Sequence, residues 1–297
     1  MALDKGRVTK SVRKLSGLKP REGPSDKSLF EAVESFVEAF DYWYIRVMRE
    51  AVPAYRKLIV MRINPFVRRI EFDGMDLAEA TRRLVEDYNS RNFVTAGGWA
   101  IEALAAAGPE MRKSGIAGID LDRFDPNTGE FHLYVLKSGL VTRNSDIINA
   151  LKRNARTAEK QLRQSKTTKG VRANYAIAAG RTTSTFEDAV WRPSSAEFWG
   201  EVLQLPEEKA VDLALAIAAE AGRLVRRDAT DHIEALKVVV GDYIASRNKA
   251  AEVDWEYIAT RNMRERSEWA DEDKARHKRA MDRLAKTGYV IEPKNAS

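Results

Sequence analysis

Asp120 and Lys137 are a carboxylate and an ammonium that an ordinary β-hairpin would bring together. Ile116 to Phe124 has strand character, Asp125-Pro126-Asn127-Thr128-Gly129 is a cluster of turn formers, and Phe131 to Leu136 is a second strand. Alternate residues of a strand share a face, so Asp120 lies with Asp122, and Lys137 lies with Phe131, Leu133 and Val135. A short hairpin sets the start of its first strand beside the end of its second, which puts Asp120 next to Lys137. Charges at the end of apolar strands are costly unless that end is open to water or the charges act on something. The chemistry that uses such a pair is metal-assisted phosphodiester hydrolysis. The carboxylate holds a hard cation such as Mg2+, which polarises the phosphate and lowers the pKa of the attacking water. The lysine orients that water or stabilises the charge developing on the phosphate. The plainer alternative is a rim ion pair with no chemical task.

The elements that must position this pair follow from periodicity. Residues 1–25 are polar and basic and contain Gly17, Pro20, Gly23 and Pro24, which suits a flexible arm. A helix starts near Ser25 or Asp26 and repeats Phe30, Val33, Phe36, Val37, Phe40, Tyr44 and Met48 at helical spacing. Pro53 interrupts it, residues 54–63 continue as helix or form a short strand, and Asn64-Pro65 breaks the chain again. Residues 76–88 read as a helix, and an alanine-rich helix over 98–107 is entered through Gly97-Gly98 and closed by Gly108-Pro109. After the hairpin, 145–164 revert to helix with Asn144 or Ser145 as the cap, and 172–179 form a third strand ended by Gly180. From Ser194 onward only helices are expected, over about 195–204, 206–225, 229–247 and 253–287. Helix, hairpin, helix, strand is the order of an α/β core, a mixed sheet flanked by helices. Three segments result: a basic arm over 1–25, a core with its N-terminal helices over 26–205, and a helical C-terminal region over 206–297.

Composition narrows the class. With 297 residues, 44% hydrophobic and 32% charged, the chain is one large domain with extensions or two lobes, and it is not mostly disordered. The absence of cysteine excludes disulfides, iron–sulfur clusters and cysteine-ligated zinc, and fits a reducing compartment. Three histidines (His132, His232 and His277) are too few for a histidine-rich metal site. No apolar run reaches the roughly 20 residues that span a bilayer, and the basic N-terminus lacks the apolar stretch of a secretory signal. A cytoplasmic protein without membrane contact is expected.

The net charge of +6 is unevenly spread. Residues 1–22 carry net +5 and residues 152–172 carry net +7, which leaves the rest of the chain net −6. Concentrated basic segments on an acidic body suit a polyanion such as nucleic acid. Lys152, Arg156, Lys160 and Arg163 line one stripe of the helix after the hairpin, and Ile147, Leu151, Ala155, Ala158 and Leu162 line another about 100° away. The apolar stripe can pack on the sheet while the basic one flanks the open tip and holds phosphates. Lys166, Lys169 and Arg172 extend the path toward the third strand. A solvated helix face is the alternative. His132 points away from Lys137 by parity and carries no expected role, and most of the six tryptophans are expected in the core.

The run Gly118-Ile119-Asp120-Leu121-Asp122 followed by Tyr134-Val135-Leu136-Lys137-Ser138-Gly139 resembles the core of the PD-(D/E)xK nuclease superfamily, and within it type II restriction endonucleases of the PmeII kind. Thr142-Arg143-Asn144 resembles that group's turn into the next helix, Ile63-Asn64-Pro65-Phe66 its Asn-Pro-Phe run, and Ala196-Glu197-Phe198-Trp199 its Phe-Trp helix start. The likeness covers about residues 60–205. It implies a restriction-endonuclease-like α/β fold, cleavage of double-stranded DNA, dependence on Mg2+ with Mn2+ as a substitute, Asp120 on the metal and Lys137 as the catalytic lysine. Most members carry an acid two residues before the lysine, where this chain has Val135, so a second carboxylate must come from elsewhere. Asp122 shares the face of Asp120, and Glu102 sits alone among Ala100, Ile101, Ala103, Leu104 and Ala105 in the preceding helix, where other members place a metal-directed glutamate. Glu102 is the preferred candidate. Cleavage at palindromes implies a two-fold homodimer, with the C-terminal helices for DNA recognition or dimerisation, and a cognate DNA methyltransferase in the same system. The competing expectations are a defence or repair nuclease that needs partners, and a degenerate nuclease fold that only binds DNA or scaffolds.

Overall fold

The computed structural model describes residues 3–19, 21–62, 64–139, 145–164, 168–187, 189–225, 229–246, 251–263 and 270–291. The chain divides into two compact units, Met1–Asp41 with Ala96–Val225, and Tyr42–Thr95 with Arg226–Ser297. These do not follow the expected boundaries, because the helix over 207–225 belongs with the sheet and the stretch 42–95 does not.

The first unit opens on α1 (Lys5–Ser16), where a flexible arm was expected. Asp4 caps it through the Arg7 amide, and Gly17 ends it with φ 68°. Val8 and Val12 stand one turn apart, are buried, and pack the helix on α8 (Glu207–Val225). Two apolar residues per three turns suffice once a partner helix exists, and the surrounding lysines and arginines hide that period in the sequence. Ser25 caps α2 (Asp26–Phe40), whose Leu29, Val33, Phe36 and Val37 face inward.

The six-stranded sheet runs in the order β1 (Met111–Lys113), β2 (Leu121–Asp125), β3 (Glu130–Lys137), β4 (Gly170–Ile177), β6 (Val190–Arg192) and β5 (Thr185–Glu187). β2 runs antiparallel to both of its neighbours, β1 and β3, while β3, β4 and β6 are parallel, and β5 returns antiparallel to β6. The mixed sheet flanked by helices is the α/β fold expected. The hairpin turn and the third strand lie close to their expected positions, whereas β1, β5 and β6 are three-residue strands too short to show a period. α6 (Ser145–Gln164) is the crossover from β3 to β4. Its Ile148, Leu151, Ala155 and Ala158 form one core with Leu133, Val135, Ala173, Tyr175 and Val190. α7 (Ser195–Leu203) packs on β4, its Trp199 donating from Nε1 to the Ala178 carbonyl at 2.8 Å.

The helices expected over 76–88 and 98–107 are one continuous helix, α5 (Leu77–Ala106). Each interior glycine costs roughly 1 kcal/mol against alanine, a penalty that a 30-residue hydrogen-bonded helix absorbs.

Among the described residues, the regular elements of the second unit are all helices, with one isolated antiparallel bridge between Ala245 and Val253. A π-helical turn over Asp41–Ile45 leads into α3 (Arg46–Arg62), which carries Pro53 inside it. Asn64 caps α4 (Pro65–Glu71), so the expected Asn-Pro break is a helix start. α9 (Ala229–Ile244), α10 (Trp255–Met263) and α11 (Ala270–Lys286) complete it, with Tyr55, Leu236, Val239, Tyr243, Ile258 and Leu284 buried. Among the described residues, no helix is long and apolar enough to cross a membrane.

Candidate active site

Asp120 sits immediately before β2 and extends its ladder. Its amide donates to the Tyr134 carbonyl at 2.9 Å, and its own carbonyl accepts from the Ser114 amide at 3.1 Å. The side chain is held as well, because Oδ2 accepts from the Leu136 amide at 2.7 Å. The loop that delivers Asp120 depends on Gly118, which has φ 74°. A Cβ there would come within 2.5 Å of Asn154 Nδ2, and that same Asn154 amide group on α6 donates to the Ala117 carbonyl at 2.9 Å. Glycine is needed at this point both for the left-handed backbone and for the approach of α6.

Lys137 is the last residue of β3. Its carbonyl accepts from the Ala178 amide at 2.8 Å, and its side chain lies at the half-exposed end of the strand with Ser138 and Gly139. α5 passes this end: a Cβ on Gly98 would lie 3.9 Å from Ser138 Oγ. One turn further along α5 is Glu102, whose side chain is 14% exposed. Burial lifts its carboxyl above the usual carboxylate range, the neighbouring charge of Asp120 lifts it further, and Lys113 and Lys137 pull it back. Glu102 therefore lies within electrostatic reach of both Asp120 and Lys137, and all three are half-buried rather than sealed.

Asp122 is not part of this group. It is only 4% exposed and forms an ion pair with Arg112, its direct cross-strand neighbour on β1. Val135 is buried in the core against α6 and offers no side-chain oxygen. His132 is buried on the opposite face, where desolvation, with the charges of Arg123 and Arg172, lowers its pKa to about 4.

The expected basic path is brought together only in part. On α6, Arg156, Lys160 and Arg163 are exposed and Lys152 is half-buried, and Arg163 is paired with Glu159 at 2.7 Å. Lys169 and Arg172 are displaced from it. β3 and β4 are parallel with Lys137 opposite Ile177, so Gly170 stands opposite Glu130 at the other end. The Lys169 amide donates to the Gly129 carbonyl at the hairpin turn, roughly 26 Å of strand from Lys137. Arg172 stands opposite His132 and stacks over Trp191 at 4.9 Å. Lys166 and the Thr142-Arg143-Asn144 turn lie outside the described residues, as do Ile63 and Trp269. Trp199 is in the core as expected, but Trp43 and Trp99 are exposed.

Lys113 is a further residue at this end that carries no signal in the sequence. Its ammonium lies 3.3 Å from Glu102 Oε1 and 5.3 Å from the centre of the Trp99 ring. It sits on β1, which carries no periodic signal.

Among the described residues, no three histidine, aspartate or glutamate side chains cluster to hold a metal. Two carboxylates in mutual electrostatic range, one lifted by the other, nevertheless fit a hard cation that takes one or two protein oxygens and completes its shell with water and phosphate.

Residues 33–221 match the family model described as type II restriction endonuclease EcoO109I. The curated proteins contain no match to the chain. The matched span is more than half of the chain and includes Glu102, Asp120, Lys137, β1 to β6 and α6, so the fold resemblance to the PD-(D/E)xK superfamily and the family match point the same way. The chain belongs to the type II restriction endonuclease EcoO109I family.

Proposed function

We propose that the protein is a divalent-metal-dependent deoxyribonuclease, a site-specific type II restriction enzyme that hydrolyses phosphodiester bonds of double-stranded DNA. The observation that carries this reading is the grouping of Glu102, Asp120 and Lys137 at one half-exposed end of the sheet, in a chain of this family. Glu102 and Asp120 would hold Mg2+ or Mn2+, which when bound supplies charge neutralisation at the phosphate and a more acidic water. Asp120 is presented in a fixed orientation by the Leu136 amide. Lys137 places its ammonium at the nucleophile. Arg156 and Lys160, which have no ion-pair partner among the described residues, contact phosphates along with Lys152, whereas Lys169 and Arg172 belong to the far end of the sheet. A homodimer of the PmeII kind that cuts a palindrome in the cytoplasm, paired with a DNA methyltransferase, is the finer form of the proposal.

The burial of Val135 favours a second reading, a fold that binds DNA without cutting it. One experiment decides. The purified protein is incubated with plasmid and Mg2+ or Mn2+, beside Asp120→Asn and Lys137→Ala. Discrete fragments from the wild type and none from either variant are expected, and binding without cleavage by the wild type would overturn the enzymatic reading.

A further inference from the structure

We infer that Lys113 is a positioning residue for the metal site, acting through Glu102; the inference rests on the metal-dependent reading above. β1 is an edge strand of three residues, and it meets both proposed ligands. The amide of Ser114, the residue after it, donates to the Asp120 carbonyl at 3.1 Å, and its last side chain, Lys113, reaches Glu102 Oε1 at 3.3 Å. Trp99 and Glu102 lie one turn apart on α5, so the ammonium is held between an aromatic face and a carboxylate of the same helix.

Stability does not explain this arrangement. The glutamate side chain is 14% exposed but the lysine is 70% exposed, and a pair whose cation stays in water contributes on the order of 1 kcal/mol. Geometry does explain it. Glu102 comes from a helix and Asp120 from the sheet, so nothing in the backbone hydrogen bonding fixes one carboxylate against the other. Lys113 supplies that tie, occupying Oε1 and leaving Oε2 for a cation. This is how outer partners of metal-binding carboxylates orient them.

The test is Mn2+ binding followed by electron paramagnetic resonance on the full-length protein without DNA, for the wild type, Lys113→Met and Lys113→Arg, with thermal unfolding measured in parallel. Lys113→Met is expected to weaken Mn2+ about tenfold at unchanged melting temperature, and Lys113→Arg to restore most of the affinity. In cleavage assays the Met variant should need more Mg2+ yet approach the wild-type kcat at saturation. If the wild type binds Mn2+ and Lys113→Met binds it equally well or more tightly, this role is overturned while the metal-dependent reading stands. If the wild type binds no Mn2+, both fall together.

Discussion

Two clusters of charge in this molecule look alike in composition and differ in how completely they are satisfied. In the helical unit, Arg276 is 1% exposed and donates to the Tyr243 carbonyl at 3.0 Å, the Ala245 carbonyl at 2.8 Å, Glu272 and Asp254. Its neighbour Asp273 accepts from Tyr243, Tyr257 and Arg56 and pairs with Arg261. Arg276 and Asp273 have their partners in place, and the one shortfall among the described residues of this cluster is the buried Arg261 Nε. In the sheet unit, Glu102 and Asp120 repel one another, and Lys137 makes no ion pair among the described residues. A buried network that closes on itself serves folding, because an unpaired charge in the interior is heavily penalised. A group left incomplete at an accessible end keeps its free valences for something that arrives. The same residue types thus serve folding in one place and, on the function proposed above, chemistry in the other.

The largest expected effect breaks the closed cluster. Arg276→Ala leaves Asp254 and two carbonyls without their donor and should cost about 3–5 kcal/mol of stability by denaturant unfolding. An unchanged midpoint would refute the structural assignment. Next comes the open group, where Asp120→Asn or Lys137→Ala should lower the cleavage rate at least about a hundredfold with little change in melting temperature. Loss of stability instead of rate would merge the two classes.

Glu102→Gln gives a sharper contrast. The ionised form of Glu102 is disfavoured in the folded protein, so its contribution is harmless below the unfolded carboxylate value. It costs stability as pH rises through the lifted folded value. The variant should melt with the wild type near pH 4 and at or above it by pH 8, while losing activity. His132 runs the other way. Its depressed pKa of about 4 means the unfolded chain takes up the proton first, so stability present above about pH 6.5 is lost as pH falls toward 4, by up to about 3 kcal/mol. His132→Gln should flatten that window in a pH series of unfolding curves. The smallest effect lies on α6, where Arg156→Ala or Lys160→Ala should weaken DNA binding a few-fold and reduce the salt slope by about 0.9 each. A slope that does not change would remove that helix from the interface.

Much of this was legible in the sequence for physical reasons. The alternation of the hairpin put Asp120 on a shared face with its cross-strand neighbours, and the lone acid in an alanine-rich helix made Glu102 a candidate that the family resemblance then preferred. What escaped depends largely on β1. Three residues show no period, yet they supply Arg112, which takes Asp122 out of contention, and Lys113, which holds Glu102. α1 was hidden by its charges, and the helix through Gly97-Gly98 by a breaker signal that thirty residues of helix overrode. Lys169 lies at the hairpin-turn end for a topological reason. A strand, a helix and a parallel strand must return the chain to the end where the first strand began.

The Leu136 amide that aims Asp120 belongs to the main chain, so every residue type except proline at position 136 preserves it. Exchange of the neighbouring side chain at position 135 therefore leaves the Asp120 carboxylate aimed as before.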